Sequence, residues 1–421
     1  MNLPERLVMK AIVNISKATG KVMAPPSKSM AHRHLICAGL SSEHSIVKGV
    51  ALSEDVLATL DCLKALGAEY TYENEEVHIT GVDILKVKKA DVLACRECGS
   101  TLRFFVPICL MTGIDIKLTG SDRLMERPMS VYEDICDKYG FKFEKSQGAI
   151  DVKGQLVPDT YKVRGDVSSQ FISGLLFTLP LLDGDSRIEL IPPVESRSYI
   201  DMTLSALSLY GVKAYWESDT VLVIPGSQKY QGSEQFVEGD YSNAAFLDAF
   251  NYIGEEAGQV EVGGLKEDSL QGDRVYLKHF KELRASRDTG IRPTIDISDC
   301  PDLGPILFVV AACNGGALFT GTRRLKIKES DRGQAMYEEL AKAGVTMVLD
   351  DDTIEVMKSE LHAPVEIFDG HNDHRIVMSM AVLGSVIGGT IDGVGAVRKS
   401  YPNFFEEISS IGIDVVKQED N

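Results

Sequence analysis

The segments DVLATLDCLKALGAEYTY (residues 55–72), SVYEDICDKYGFKF (130–143), YIDMTLSALSLYGVKAYW (199–216), GQAMYEELAKAGVTMVL (333–349) and FFEEISSIGIDVV (404–416) share one shape. Each is an amphipathic helical pattern that ends in glycine and runs directly into a short strand-like stretch. The closing residues are Gly67, Gly140, Gly211, Gly344 and Gly412, at intervals of 73, 71, 133 and 68. The third interval is about twice the others, so one copy is missing or worn down, and the candidate is the helical stretch around Asp273 to Arg284. Six copies at this period fill the chain.

A second series supports the first. Ser27, Glu97, Asp166, Asp240, Asp302 and Asp373 each open a more apolar helical stretch, at spacings of 70, 69, 74, 62 and 71. Small polar and acidic residues at such starts predict helix N-caps, so each repeat holds two helices and a few strands. A period of about 70 residues exceeds that of common solenoids, and compact pseudo-symmetric domains fit it better. The polar stretch GSQKYQGSEQFVEGD (226–240) divides the repeats three and three and reads as a linker. A second crossing is expected in ATGKVMAPPSK (18–28), where Gly20, Pro25 and Pro26 interrupt regular structure. These boundaries give one discontinuous domain of residues 1–20 plus 238–421, which takes the N-terminal strand, and a second of residues 21–237.

The 421 residues are 44% hydrophobic and 25% charged, enough apolar mass for more than one core. Lys plus Arg total 44 against 62 Asp plus Glu, a net charge of -18, which argues against nucleic-acid or anionic-membrane partners. Any anionic ligand must be held by local positive charge. The start MNLPERLVMK lacks the apolar core of a signal peptide, and no apolar run is long enough to span a membrane, so a cytoplasmic location is expected. Eight cysteines are too sparse for a disulfide scaffold, and Cys37, Cys109 and Cys313 sit in apolar runs as small hydrophobes.

Basic residues keep company with the helix starts: Lys28 and Arg33, beside the hydroxyl of Ser29, in SKSMAHR, Arg103 in GSTLRF, and Arg375 in NDHRIV. Free N–H groups and the helix dipole favour anions there, and the cations add to it. The segments DRLMERP, RRLKIKESDR and VRKSYP carry further charge. In KESDR, Glu329 sits beside Lys328 and near Asp331, as expected where a carboxylate works next to a bound anion, which makes it an acid/base candidate. Ser168, Ser169 and Gln170 supply neutral donors. Cys95 and Cys98 form a lone CxxC without a second pair, and His371 and His374 lack a third ligand, so no metal site is expected. Neither a GxGxxG nor a GxxxxGK[ST] motif occurs, which leaves dinucleotide and nucleoside-triphosphate sites without support.

The motifs SKSMAHR, GSTLR, DRLMERP, SSQ, ESRSYI, PDLG, KESDR, NDHR and RKSYP stand in one order along the whole chain. In that order the sequence resembles the 5-enolpyruvylshikimate-3-phosphate synthase family. The resemblance implies an α/β (α+β) fold: a two-domain inside-out α/β barrel of six βαβαββ-type repeats, three per domain, with the active site in the interdomain cleft. It implies transfer of the enolpyruvyl group of phosphoenolpyruvate to the 5-hydroxyl of shikimate 3-phosphate, with release of phosphate, no cofactor and no metal. By the same resemblance Asp302, Glu329 and Lys28 are catalytic. Shikimate 3-phosphate is held by Lys28, Ser29, Arg33, Ser168, Ser169, Gln170, Ser196, Asp302 and Lys328, with Tyr199 nearby. Phosphoenolpyruvate meets Lys28, Gly99, Arg123, Gln170, Arg332, Arg375 and Lys399. Glyphosate is expected to inhibit from the phosphoenolpyruvate position, and the enzyme is expected to act as a monomer.

The chain departs from the family pattern in RECGST, where Glu97 and Cys98 replace an asparagine and an alanine or serine. Arg324 stands where the family usually has an asparagine and is left outside the site. The sister enzyme that transfers enolpyruvyl to UDP-N-acetylglucosamine typically carries a reactive cysteine on a loop of the first domain, and here Thr112 to Pro128 contains none. A non-catalytic anion-binding scaffold is the rival of another class, and the presence of Lys28, Asp302, Glu329, Arg332, Arg375 and Lys399 argues against it.

Overall fold

Each closing glycine of the recurrent segments has a positive φ: 108° at Gly67, 67° at Gly140, 78° at Gly211, 84° at Gly344 and 99° at Gly412. A Cβ makes that left-handed region costly, which is why the helix stops there and the chain turns into a strand. The computed structural model describes residues 9–254 and 259–419, and within it the period seen in the sequence is a repeated strand–helix–strand–helix–hairpin unit. In the second repeat Leu93–Ala94 lies parallel to Ile116–Thr119. The hairpin Lys142–Ser146 and Ala149–Lys153 folds back antiparallel onto that second strand. The third and fifth repeats follow the same order.

Three repeats depart from it in instructive ways. The first borrows Glu234–Phe236, which lies parallel to His44–Lys48, so part of the expected linker 226–240 is an edge strand. The sixth borrows the N-terminal strand Met9–Val13, antiparallel between Gly389–Asp392 and Val415–Glu419. The fourth is the worn copy. Its helix Tyr276–Thr289 closes at Gly290, φ 69°, and the chain then enters Thr294–Asp296, the first strand of the next repeat, without building a hairpin. Among the described residues only Thr19–Met23 and Gln259–Gly263 pair in that sheet.

The chain divides into two compact units, Pro26–Glu238 and Met1–Pro25 with Gly239–Asn421. The first crossing therefore falls at Pro25/Pro26 rather than at residue 20, because Thr19–Met23 is laddered to Gln259–Gly263. Among the described residues the strands form six separate sheets, five four-stranded and one two-stranded, and no closed barrel.

Each unit has its own core, one around Leu35, Phe105, Phe171 and Leu207, the other around Phe246, Phe308, Met380 and Phe404. Helices Gly99–Cys109 and Ser169–Thr178 bury nearly every side chain, as a helix apolar all round must. Gly174 lets them approach: a Cβ there would collide with the Tyr132 hydroxyl, which donates to Arg103 O at 2.6 Å. Seven of the eight cysteines are buried, and all eight are free thiols. Among the described residues no helix is long and apolar enough to cross a membrane.

Of the expected N-caps, Ser27, Asp240 and Asp373 cap helices through their side chains. The other three do not. Cys98 Sγ, not Glu97, accepts from Thr101 N, and Ser168, not Asp166, accepts from Gln170 N. Asp166 instead takes Arg164 at 3.0 and 2.7 Å. Asp302 lies inside the turn Pro301–Leu303, one step ahead of helix Gly304–Ala312. That step frees its carboxylate from capping.

Candidate active site

In the unit Pro26–Glu238, the sequence-selected residues gather at helix starts. Ser27 accepts from Met30 N at 3.4 Å and so begins helix Lys28–Gly39. On its first turn Lys28 Nζ meets Asp55 Oδ2 at 2.7 Å. Asp55 stands in the first turn of helix Glu54–Ala65, capped by Ser53. Further along, Arg33 is buried, with Nε on Thr203 Oγ1 at 2.9 Å, Nη1 on Ser29 O at 2.7 Å and Nη2 on Tyr199 O at 2.9 Å. Its guanidinium also lies 5.8 Å from the ring centroids of Phe104 and Tyr199.

Every hydrogen-bond partner of Arg33 is neutral. Burial pulls its pKa down to about 10, with Tyr199 and Cys37 acting the other way, so at neutral pH it remains a cation without a carboxylate against it. A buried charge in that condition is costly unless an anion completes it. Ser196, at φ 55°, precedes helix Arg197–Leu209, which supplies Tyr199 and Thr203. Gln170 accepts from Arg103 Nη1 at 2.6 Å and donates to Ser100 Oγ at 2.8 Å, which ties helix Ser169–Thr178 to helix Gly99–Cys109.

Gly99 opens the latter helix. A Cβ on it would collide with Arg127 Nη1 and come within 3.5 Å of Arg103 Nη1. Arg103 and Arg127 are both buried. Arg123, by contrast, is half-exposed and meets Glu126 at 3.8 Å. The guanidinium at Gly99 is therefore that of Arg127, four residues beyond the arginine selected from the sequence.

The unit that contains Gly239–Asn421 holds a tighter network. Arg332, first residue of helix Arg332–Lys342 and fully buried, reaches Asp302 Oδ1 through Nη1 at 2.7 Å and Glu329 Oε2 through Nη2 at 2.7 Å. Its Nε meets Asp373 Oδ2 at 2.8 Å. Asp302 also faces Lys328 Nζ at 3.0 Å and Arg375 Nη2 at 3.5 Å. Asp373 accepts from Ser330 Oγ at 3.0 Å and from Arg375 N at 2.9 Å, where it caps helix His374–Ile387. Arg375 Nη2 donates to Ser242 Oγ at 2.9 Å, and Lys399 Nζ to Asn372 O at 2.5 Å. Arg324 turns instead to Ser298 O at 3.3 Å.

Burial alone would raise the Asp302 pKa, but Lys328, Arg375 and Arg332 outweigh it and hold the group well below the usual carboxylate range. Asp302 is thus ionised at neutral pH, the form that accepts a proton. The pKa of Lys328 is lowered by burial and by Arg332 and Arg324, against the pull of Asp302. Asp373 sits at about 2: burial works upward, and Arg332 overrides it. Sequence reasoning missed Asp55, Thr203 and Ser242, took Asp373 only as a helix opener, and of the two arginines in DRLMERP placed Arg123 rather than Arg127 in the site. For Arg127 the signal was present, since DRLMERP holds two arginines; the others are long-range partners with no local mark.

A model of the EPSP synthase family, 3-phosphoshikimate 1-carboxyvinyltransferase, matches residues 12–408. A 3-phosphoshikimate 1-carboxyvinyltransferase from Clostridium kluyveri is 39% identical over 425 residues, spanning 96% of this chain and 97% of that one. Another, from Clostridium botulinum, is 38% identical and spans 94% and 96%. In fold, an EPSP synthase from Acinetobacter baumannii aligns with a TM-score of 0.77 at 24% identity, covering 98% of this chain and 100% of that one. An enolpyruvyl transferase from Streptomyces tendae aligns at 0.75 with 13% identity, over 99% and 100%. With the family match running nearly end to end and full-length relatives well above a third identical, the chain belongs to the EPSP synthase (3-phosphoshikimate 1-carboxyvinyltransferase) family.

Proposed function

We propose that the Arg332 network and the helix starts around Lys28, Arg33 and Gly99 carry out the family reaction. The chain is a 3-phosphoshikimate 1-carboxyvinyltransferase, moving the enolpyruvyl group of phosphoenolpyruvate to shikimate 3-phosphate in the shikimate pathway. The observation that carries the assignment of roles is Arg332, which holds Asp302 and Glu329 at 2.7 Å each and so ties two proton-transfer groups to one cation. Ionised Asp302 takes the proton of the 5-hydroxyl as its oxygen bonds to C2 of phosphoenolpyruvate. Glu329 and Lys28 deliver a proton to C3, which turns the double bond into the methyl group of a tetrahedral intermediate. Loss of phosphate from C2 and return of a C3 proton to the enzyme restore the double bond.

Shikimate 3-phosphate falls to Lys28, Ser29, Arg33, Ser168, Ser169, Gln170, Ser196, Asp302 and Lys328, and the uncompensated charge of Arg33 supports a phosphate there. Phosphoenolpyruvate falls to Lys28, Gly99, Gln170, Arg332, Arg375 and Lys399, with Arg127 in place of Arg123 because Arg127 packs over Gly99. Arginine forks suit its carboxylate and phosphate. Glyphosate competes at the same positions, and the enzyme works as a monomer in the cytoplasm.

The test is phosphate release from phosphoenolpyruvate with shikimate 3-phosphate as acceptor, run beside UDP-N-acetylglucosamine and a Glu329→Gln variant. Release with shikimate 3-phosphate only, lost in the variant, is the expected result. Tight binding of shikimate 3-phosphate without turnover would mean a scaffold. In the same assay Arg127→Ala should raise the KM for phosphoenolpyruvate about 10- to 100-fold, the worth of a charge-assisted contact. Arg123→Ala should change it less than about threefold, as for an exposed pair. The opposite ranking would return the role to Arg123. Gly99→Ala displaces Arg127 and crowds glyphosate, so inhibition should weaken more than the KM for phosphoenolpyruvate rises; equal loss of both counts against the placement.

A further inference from the structure

Beside Lys28 lies a buried donor set that the reaction does not use. His32 comes from helix Lys28–Gly39, Asp55 from helix Glu54–Ala65, and Cys98 caps helix Gly99–Cys109. All three are buried, and one ligand atom of each lies within 4.8 Å of the other two. His32 Nε2 stands 3.8 Å from Cys98 Sγ. A tetrahedral ion bound to both would hold these atoms about 3.6 Å apart, given bonds of about 2.05 Å to imidazole nitrogen and about 2.3 Å to thiolate sulfur. The other ring nitrogen is already engaged: His32 Nδ1 lies 2.7 Å from Thr59 Oγ1, itself 2.8 Å from Thr101 Oγ1. In the tautomer with the proton on Nδ1, Thr59 Oγ1 accepts it and the Nε2 lone pair faces Cys98, the arrangement that orients a ligating imidazole.

The two protonation states act in opposite directions. Burial, with Lys28 and Arg33, lowers the His32 pKa to about 3, so the ring is neutral. Burial raises the Cys98 thiol to about 12, with Asp55 adding to it. At neutral pH Cys98 is therefore a thiol that must give up its proton to bind a metal, which makes binding pH-dependent; the geometry, not the thiol's pKa, carries the site. The CxxC spacing is not the basis of the set, since Cys95 turns to Leu93 O.

We infer that His32 Nε2, Cys98 Sγ and the Asp55 carboxylate form a site for a thiophilic divalent cation of the Zn²⁺ class, which competes with the Lys28 ammonium for Asp55. On binding, the Sγ–H bond breaks, the metal–sulfur bond forms, and the proton leaves to solvent with no change of oxidation state. Thiolate and carboxylate then neutralise the ion, and Lys28 loses its 2.7 Å partner. By whole-residue exposure Asp55 keeps 7%, whereas His32 and Cys98 keep 1% and 2%, so the Asp55 end of the set is the one nearest solvent.

Whether the site exists does not depend on the reaction assigned above, and the test separates the two. Co²⁺ added to the reduced full-length protein, without substrates, should give a thiolate-to-cobalt charge-transfer band saturating at one equivalent, and Zn²⁺ should displace it. Cys98→Ser keeps a capping oxygen and should abolish the band, while His32→Gln should weaken affinity at least about 100-fold. No band in the wild type, or an equal band in Cys98→Ser, overturns the site. Zn²⁺ should also raise the Kd for shikimate 3-phosphate at least tenfold in the wild type and not in Cys98→Ser; metal binding without that shift overturns the competition with Lys28.

Discussion

Asp302→Asn is expected to lower kcat by about a thousandfold, the middle of the range for a positioned proton-transfer group. Asparagine keeps the shape of the side chain, but it cannot take up the proton of the attacking hydroxyl. It also removes the common anion of three cations, Lys328 at 3.0 Å, Arg332 at 2.7 Å and Arg375 at 3.5 Å. Without that charge the cations repel one another and lose the geometry that clamps the substrate anions. The effect should therefore appear in kcat and in the KM for phosphoenolpyruvate together. A steady-state measurement in which kcat falls less than tenfold would remove Asp302 from proton transfer and leave it a positioning role alone.

The sequence was informative where local chemistry decides structure. A glycine that ends a helix must take a φ that other residues avoid, so the five glycines and their period announced the repeats, and the doubled interval marked the copy that lacks its hairpin. Ser27, Asp240 and Asp373 were legible as caps for the same reason. Legibility ended where a side chain had a choice of partners. Asp166 prefers Arg164, which passes capping to Ser168. Arg123 and Arg127 read alike in DRLMERP, and only the packing of helix Gly99–Cys109 separates the half-exposed one from the buried one. Asp55 is 27 residues from Lys28, and Asp373 is 41 from Arg332, so nothing in the chain near either cation announces its counter-ion. The borrowed strands Met9–Val13 and Glu234–Phe236 fall in the same class, since each completes the sheet of a repeat distant in sequence.

Asp373→Asn should cost the most stability of any change in the Arg332 network. The Asp373 carboxylate has no exposure and receives Arg332 Nε at 2.8 Å and Nη2 at 3.3 Å, Ser330 Oγ at 3.0 Å and the capping Arg375 N at 2.9 Å. Breaking a buried ion pair from one side costs about 3–5 kcal/mol. Because Arg332 keeps Asp302 and Glu329, the lower end, about 3 kcal/mol, is the better figure. For a unit of about two hundred residues that lowers the melting temperature of its transition by about 10 °C. The pH dependence follows from the carboxyl group, held at about 2 in the folded protein against 3.8 ordinarily. Between those values the unfolded chain binds the proton and the folded one does not. The stabilisation is thus fully present above pH 3.8 and fades as pH falls toward about 2. Since asparagine does not titrate, the difference in melting temperature between wild type and variant should stay constant from neutral pH down to about pH 5 and close below about pH 4. A difference that persists unchanged at pH 3, or one under about 2 °C at neutral pH, would show that the Arg332–Asp373 pair does not hold the network together. In that case Arg332 would be anchored by Asp302 and Glu329 alone, and substrate anions would compete directly with those two carboxylates for its guanidinium.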